Sequence, residues 1–475
     1  MTNLQVPPRP LSIAHRGASA YAPANTLEAF RKAALLGADM WEVDIRITSD
    51  GVLVAFHDAS LAGGQEVCAL SREALCSACP ECPDLAEVVA LAAETGAGIY
   101  ADIKDEQATV ATYELLVQAG ISPVIIGAFD PGIVRRLKDV GSIYQVAALV
   151  PVGMDPHEHA HDADVIHLCW EHMSSPQNSL TPAFFDRVFS AGKGVVLWHE
   201  EDPVRMAELR TKPVTGICSD RPELVAPFRP PAEYPFETVC HRGANGIAPE
   251  NTLPALECAL AGGFTHIEVD LHVTADGKIV VIHDDTLDRT TDGNGTVCGK
   301  SLSELRRLDA GSWFSPHFAG TRLPTLTEVL DLLHRYDARA YLELKSAPPR
   351  PVLDEVIERG LLERVFFWSF TRDFLLELRN ISRSAVIMSR RMDYPSLAEA
   401  IADYDADIIE FRPDDDPLEI ASLRGSAVRT MIAYNGSSKD MFDRILDIRP
   451  DMFNLDDPFK FTRFSQEKFG HGKGN

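Results

Sequence analysis

The chain has 475 residues, with 45 basic and 70 acidic side chains and a net charge of −25, which argues against binding nucleic acid or anionic membranes through bulk electrostatics. No apolar run approaches the length of a membrane span, and the N-terminal MTNLQVPPRP has no signal-like apolar core. The expectation is a cytoplasmic protein with reduced thiols, long enough for two large domains; the global charge does not exclude a phosphorylated substrate, because a local metal and Arg/Lys cluster can override its sign.

Periodic elements begin near Leu11. LSIAHRG reads as a strand ending in a turn, and LEAFRKAALLG as a helix with Thr26 as its cap and Gly37 as its stop. MWEVDIRIT and VLVAFHD read as the next strands, joined by a Ser-Asp-Gly turn. GIYADIK, PVIIGAF, YQVAALV, ADVIHLCW and GVVLWHE continue the strand pattern, separated by amphipathic stretches such as ATYELLVQAG and TPAFFDRVFSAG. Repeated β then α predicts an α/β fold with a parallel sheet and helices outside. The first domain spans 10–229 and closes at GICSDRPELV. Residues 230–236, within the proline-rich APFRPPAEYPF, read as an extended linker. A second domain, 237–464, repeats the scheme through RVFFWSF, SAVIMSR, ADIIEFR, AVRTMIAY and MFNLDDPF, and 465–475 reads as a flexible tail.

Chemistry-bearing residues concentrate between Cys240 and Asp284. His241 and Arg242 close a short apolar strand. Glu268 and Asp270, two apart in HIEVDLHVT, share one strand face, and His283 ends the β-branched run KIVVIHD. Glu343 and Lys345 repeat the two-apart spacing in AYLELK. Taken singly, such residues are ordinary hydrogen-bonders or a solvated strand face. Together, three carboxylates on one face repel unless a cation sits among them. Oxygen-only ligands suit Mg²⁺ or Ca²⁺, with Mn²⁺ also accepted.

The motifs HRG, PENT, E-x-D, the DG turn, HD, R-T-T-D-G-x-G, P-T-L and E-x-K follow one another from about Thr238 to Pro458. In this order they resemble the glycerophosphodiester phosphodiesterases. The N-terminal half resembles the same family through AHRGASAYAPANTLEAF, WEVDIRITSDG, VAFHD, PDL and YADIK. His15, Glu42, Asp44 and His57 precede His241, Glu268, Asp270 and His283 by one constant spacing, which then lengthens before Glu343 because the second copy carries an insertion. The halves thus read as a tandem duplication, a period too long for a solenoid.

The resemblance implies two consecutive (β/α)8 barrels that hydrolyse a small phosphodiester with a divalent cation. A substrate hydroxyl beside the phosphate would attack first, and water would open the resulting cyclic phosphate. By the same resemblance His241 and His283 are the acid/base pair, and Glu268, Asp270 and Glu343 the metal ligands. Arg242 and Lys345 hold phosphate oxygens, while Glu250, Asn251 and Trp368 support the site or line the substrate. In the first half the matching residues are His15, His57, Arg16 and Lys104, with Glu42, Asp44 and Asp102 as ligands. That half departs from the family: Asp102 replaces a glutamate, Ala24 replaces the PENT glutamate, and the R-T-T-D-G-x-G segment is missing. The second half departs at its last strands, where Ala433 stands in the region of Trp198. The second domain is therefore the expected main site. A phosphodiester-forming synthase, like the related agrocinopine synthase that joins sugars through phosphate, is the alternative. Oligomeric state is left open. Cys68, Cys76, Cys79 and Cys82 include two C-x-x-C spacings that could hold zinc or an iron–sulfur cluster, though free thiols in a loop are the simpler expectation.

Overall fold

The computed structural model describes residues 8–171 and 173–470. The chain divides between Pro227 and Phe228 into two compact units. In the first, β1 is Leu11–Ala14, β2 Met40–Ile47, β3 Leu53–Ala55, β4 Gly98–Ile103 and β5 Val124–Ala128. β6 is Gln145–Val150, β7 Val165–Cys169, β8 Gly194–Trp198 and β9 Gly216–Ser219. All except β3 form a closed ring of eight parallel strands, because β1 pairs with both β2 and β9. Inward-facing Ile13, Met40, Tyr100, Ile125, Ala147, Val165 and Val196 fill the ring, so it is a packed core and not a pore.

The second unit repeats this plan. Its strands are β10 Glu237–Cys240, β11 His266–Val273, β12 Ile279–Val281, β13 Arg339–Leu344 and β14 Val365–Trp368. They continue as β15 Val386–Arg390, β16 Ile408–Phe411, β17 Arg429–Tyr434 and β18 Met452–Leu455. β10 pairs with β11 and β18, again closing eight parallel strands.

Three sequence expectations change. VLVAFHD and KIVVIHD do not supply barrel strands: β3 and β12 are hairpin arms antiparallel to β2 and β11. GICS and MFNL, expected only to close each domain, are the eighth barrel strands. A short β-branched run looks the same whether its partner lies in the ring or outside it, since alternation encodes the buried face and not the neighbour. The residues from Ser465 do not begin a flexible tail, because the helix Pro458–Gly470 continues through them with Ser465 buried. Residues 471–475 lie outside the described residues. Finally, the proline-rich connector is anchored by its aromatics. Tyr234 and Phe236 pack edge-on against Phe453, inside the cluster that also holds Phe461.

The turn after the first strand of each barrel is built by a short HRG sequence. Arg16 and Arg242 adopt φ of 56° and 57°, and the following glycines both adopt 83°. A Cβ on Gly243 would sit 2.7 Å from the Ala255 carbonyl carbon in the next helix. Only glycine allows that approach, which brings the arginine and its backbone N–H over the barrel mouth.

Candidate active site

In the second barrel, β11 carries Glu268 and Asp270 on its inward face, and β13 places Glu343 beside Asp270 in register. The three carboxylates are buried, with ligand oxygens all within 4.8 Å of one another. Among the described residues Glu268 Oε1 has no hydrogen-bond donor, and Asp270 Oδ1 and Glu343 Oε1 both face the Lys345 ammonium. Burial, and then the neighbouring Asp270 and Glu343, push the Glu268 carboxyl well above its ordinary range. Burial also opposes charge on Asp270, but Lys345 and Arg242 outweigh it and hold that carboxyl low. Three buried carboxylates with oxygens converging on one point fit a hard divalent cation, which takes oxygen ligands and tolerates this density of negative charge.

The supporting groups are local. The Arg242 N–H donates to Glu268 Oε2 (2.8 Å), and Asn251 Nδ2 donates to Asp270 Oδ2 (2.7 Å). Lys345 Nζ lies 3.2 Å from Asp270 Oδ1 and also contacts Glu343. His241 Nδ1 is 2.6 Å from Asp456 Oδ1, and His283 Nδ1 is 2.6 Å from Asp284 Oδ1. His283 reaches the site because β12 runs back toward the ring: the Ile282 N–H donates to the Asp270 carbonyl (3.0 Å). Arg242 Nη1 donates to Glu250 Oε1 (2.9 Å). Arg289, from the inserted segment, clamps Glu250 at 2.8 and 3.0 Å and Asp284 at 2.7 and 3.0 Å. Trp368 stands beside Glu343 in register, but its ring is buried beneath the Arg390 guanidinium, 4.9 Å away.

The first barrel converges in the same way. Glu42, Asp44 and Asp102 are buried with ligand oxygens within 4.8 Å. Among the described residues Asp102 Oδ1 has no donor, and burial raises this carboxyl to about 6. Lys104 bridges Asp44 (2.8 Å) and Asp102 (2.6 Å), while Arg16 Nε lies 3.0 Å from Asp44. His57 pairs with Asp58 at 2.7 Å, but Asp58 is 72% exposed and Ala24 replaces the glutamate that an arginine would clamp. Trp198 meets His15 edge-on at 5.4 Å, and the β8–β9 register places it opposite Cys218. Ala433 takes the matching place opposite Asn454 in the second barrel, so that barrel has no tryptophan there.

Sequence reading missed the groups that orient the histidines. Asp220 and Asp456 follow the last barrel strand, and Ser19 and Asn245 donate to them at 2.7 Å. The aspartates in GICSD and MFNLDD were the available signal. Also missed was His199, stacked on His15 at 5.2 Å and flanked by Glu201 (3.3 Å) and Glu171 (3.1 Å). Burial opposes its charge, yet the Glu201 hydrogen bond and nearby acids raise it to about 9. The loop cysteines diverge: Cys82 packs with Val54, Val67 and Leu75, while Cys68 and Cys76 are exposed. The converging metal-ligating groups among the described residues contain no cysteine.

A glycerophosphodiester phosphodiesterase of Bacillus subtilis is 36% identical over 158 residues, covering 32% of this chain and 54% of the relative. One from Caldanaerobacter subterraneus is 40% identical over 142 residues, covering 30% and 57%. The chain thus spans little more than half the length of these curated relatives. Among solved structures, a glycerophosphodiester phosphodiesterase from Agrobacterium tumefaciens is 36% identical, with a TM-score of 0.46, covering 48% of this chain and 99% of its own. An Oleispira antarctica phosphodiesterase in complex with the product sn-glycerol-3-phosphate is 25% identical, with a TM-score of 0.43, covering 49% and 97%. The profile of the glycerophosphoryl diester phosphodiesterase family matches residues 15–224 and 241–397, most of both barrels, and the chain belongs to that family.

Proposed function

We propose that this chain is a divalent-cation-dependent phosphodiesterase acting on a glycerophosphodiester or a related small, sugar-containing diester. The carrying observation is the convergence of three buried carboxylates, Glu268, Asp270 and Glu343, beside Arg242, Lys345 and two carboxylate-tethered histidines. A cation held by the three carboxylates, Mg²⁺, Ca²⁺ or Mn²⁺, would supply positive charge at the phosphoryl oxygens.

The remaining work falls to the protein. Arg242 and Lys345 neutralise charge building on the phosphoryl group. Asp456 and Asp284 each accept from a histidine Nδ1–H, which leaves Nε2 as the basic nitrogen. One histidine takes the proton of the attacking substrate hydroxyl while the other gives a proton to the leaving alkoxide. For the water that opens the cyclic phosphate, the two exchange roles. The second barrel is assigned the main activity, because Arg289 holds both Glu250 and the aspartate of His283 in place there. The first barrel is assigned a weaker or different activity. Nine free cysteines fit a reduced, cytoplasmic setting.

The test is incubation of the purified protein with Mg²⁺ and a panel of glycerophosphodiesters, with product identification. Release of an alcohol and a phosphomonoester is expected. No turnover, or only condensation of a sugar phosphate with a second sugar, would overturn the reading.

A further inference from the structure

The register of the second barrel places a charged pair next to the carboxylate triad. Glu343 pairs with Trp368 across β13 and β14, and Arg390 pairs with Glu410 across β15 and β16. Paired residues on parallel strands point to the same side. Following the register from Glu343 through Trp368 puts Arg390 and Glu410 on the inward face, one residue layer nearer the mouth. The matching strand positions in the first barrel, Leu149 and His167, line its cavity together with His15, Asp44 and Asp102.

Arg390 Nε and Glu410 Oε1 stand 4.0 Å apart, beyond hydrogen-bond reach, with side chains only 17% and 15% exposed. Arg390 Nε lacks a hydrogen-bond partner among the described residues. Its outer nitrogen contacts Met392 Sδ (2.8 Å) and Asp393 Oδ1 (3.4 Å). We propose that Arg390 and Glu410 form a subsite for a hydroxyl on a polyhydroxylated alcohol arm of the diester. This rests on the phosphodiesterase reading and narrows its substrate class.

A hydroxyl oxygen about 2.8 Å from both groups closes the gap with an apex angle near 90°, within the ordinary range for such a donor–acceptor oxygen. It donates to the carboxylate and accepts from the guanidinium at once. An ammonium cannot accept from arginine, and an ether cannot donate to glutamate. The aromatic faces that would hold a quaternary ammonium are already taken. Arg390 lies 4.9 Å from the Trp368 ring centre and 5.2 Å from that of Phe370, and Lys345 lies 5.3 Å from Phe370. A cationic alcohol would meet two fixed positive charges there. The first barrel has no such pair, because Leu149 is apolar and His167 Nδ1 is bonded to the Tyr100 hydroxyl at 2.6 Å.

The test uses His57→Ala protein, so that the second barrel is read. The substrates are glyceryl and 2-hydroxypropyl p-nitrophenyl phosphate, which differ by one hydroxyl. The parent should prefer the glyceryl ester about tenfold in kcat/KM, the scale of one charge-assisted hydrogen bond. Arg390→Met and Glu410→Gln should each reduce that preference to about threefold or less, through a larger loss on the glyceryl ester than on the hydroxypropyl ester. A preference that survives both changes, parallel loss on both esters, or no preference in the parent would overturn the subsite. If the wild-type chain turns over neither ester, the phosphodiesterase reading fails separately. The subsite is then decided by calorimetry of sn-glycerol 3-phosphate against propyl phosphate. A preference lost in Arg390→Met supports it, and one retained overturns it.

Discussion

His241 Nδ1 lies 2.6 Å from Asp456 Oδ1, joining the residue that follows the first strand of the second barrel to one that follows its last. Closure of the ring makes the contact, since β10 and β18 are neighbours. Burial opposes charge on Asp456, but the His241 hydrogen bond holds its carboxyl below the usual range. Asp456→Asn should therefore misplace the His241 proton and lower kcat by about 10- to 100-fold, the usual scale for a supporting carboxylate behind a histidine. Steady-state kinetics across pH, with melting temperature as the folding control, will check this. Unchanged kcat and pH profile would show that the contact is structural only.

The two barrels can be weighed against each other through equivalent histidines. His283→Ala should remove most activity, by about 10²-fold or more, the scale of general acid–base catalysis. His57→Ala should leave most of it. Both proteins are assayed on the same substrate. A larger loss from His57→Ala would reverse the assignment and show that the Arg289 clamp matters little.

Chelation should silence the enzyme, and Mg²⁺, Mn²⁺ or Ca²⁺ should restore it through Glu268, Asp270 and Glu343. Full turnover in exhaustively chelated protein would reject a catalytic cation. Glu268→Gln should raise the cation concentration needed for half-maximal activity, because it removes one of three charged ligands.

The third carboxylate offers a matched exchange. Shortening a ligand by one methylene withdraws its oxygens by about 1.5 Å, a C–C bond length, whereas hard-ion distances vary by only about 0.3 Å. Glu343→Asp should thus weaken cation binding in the second barrel, and Asp102→Glu should strengthen it in the first. Calorimetric titration of each variant with Mn²⁺ reads the effect directly. No change in either would mean that strand positions adjust to ligand length.

His199 gives the first barrel a pH-dependent contribution to stability. Its folded value of about 9 lies above the usual 6.5, so the folded state binds more protons between these values. Stability from this group is complete below about pH 6.5 and is lost as pH rises through about 9. Discounted for partial exposure, the change is on the order of 2 kcal/mol. Thermal melts at pH 6.5 and 9 should show a decline that His199→Gln reduces. An equal decline in both proteins would place its cause elsewhere.

Much of the candidate site is legible in the chain because its spacing is local. Glu268 and Asp270 share a strand face by alternation alone, and the order of short motifs carries the family and the duplication. Helix caps such as Thr26 are likewise local, its hydroxyl accepting from the Ala29 N–H within one turn. What tertiary structure decided lies far apart in sequence. Asp220 and Asp456 meet His15 and His241 only because a ring of parallel strands closes, and no local pattern encodes which strand ends become neighbours. The same holds for His283, whose short strand reads like a barrel strand until its antiparallel pairing with β11 is seen. Arg390 and Glu410 are ordinary charges in the sequence. Barrel register turns them into a facing pair beside Glu343, because inward direction and layer depend on every strand between them.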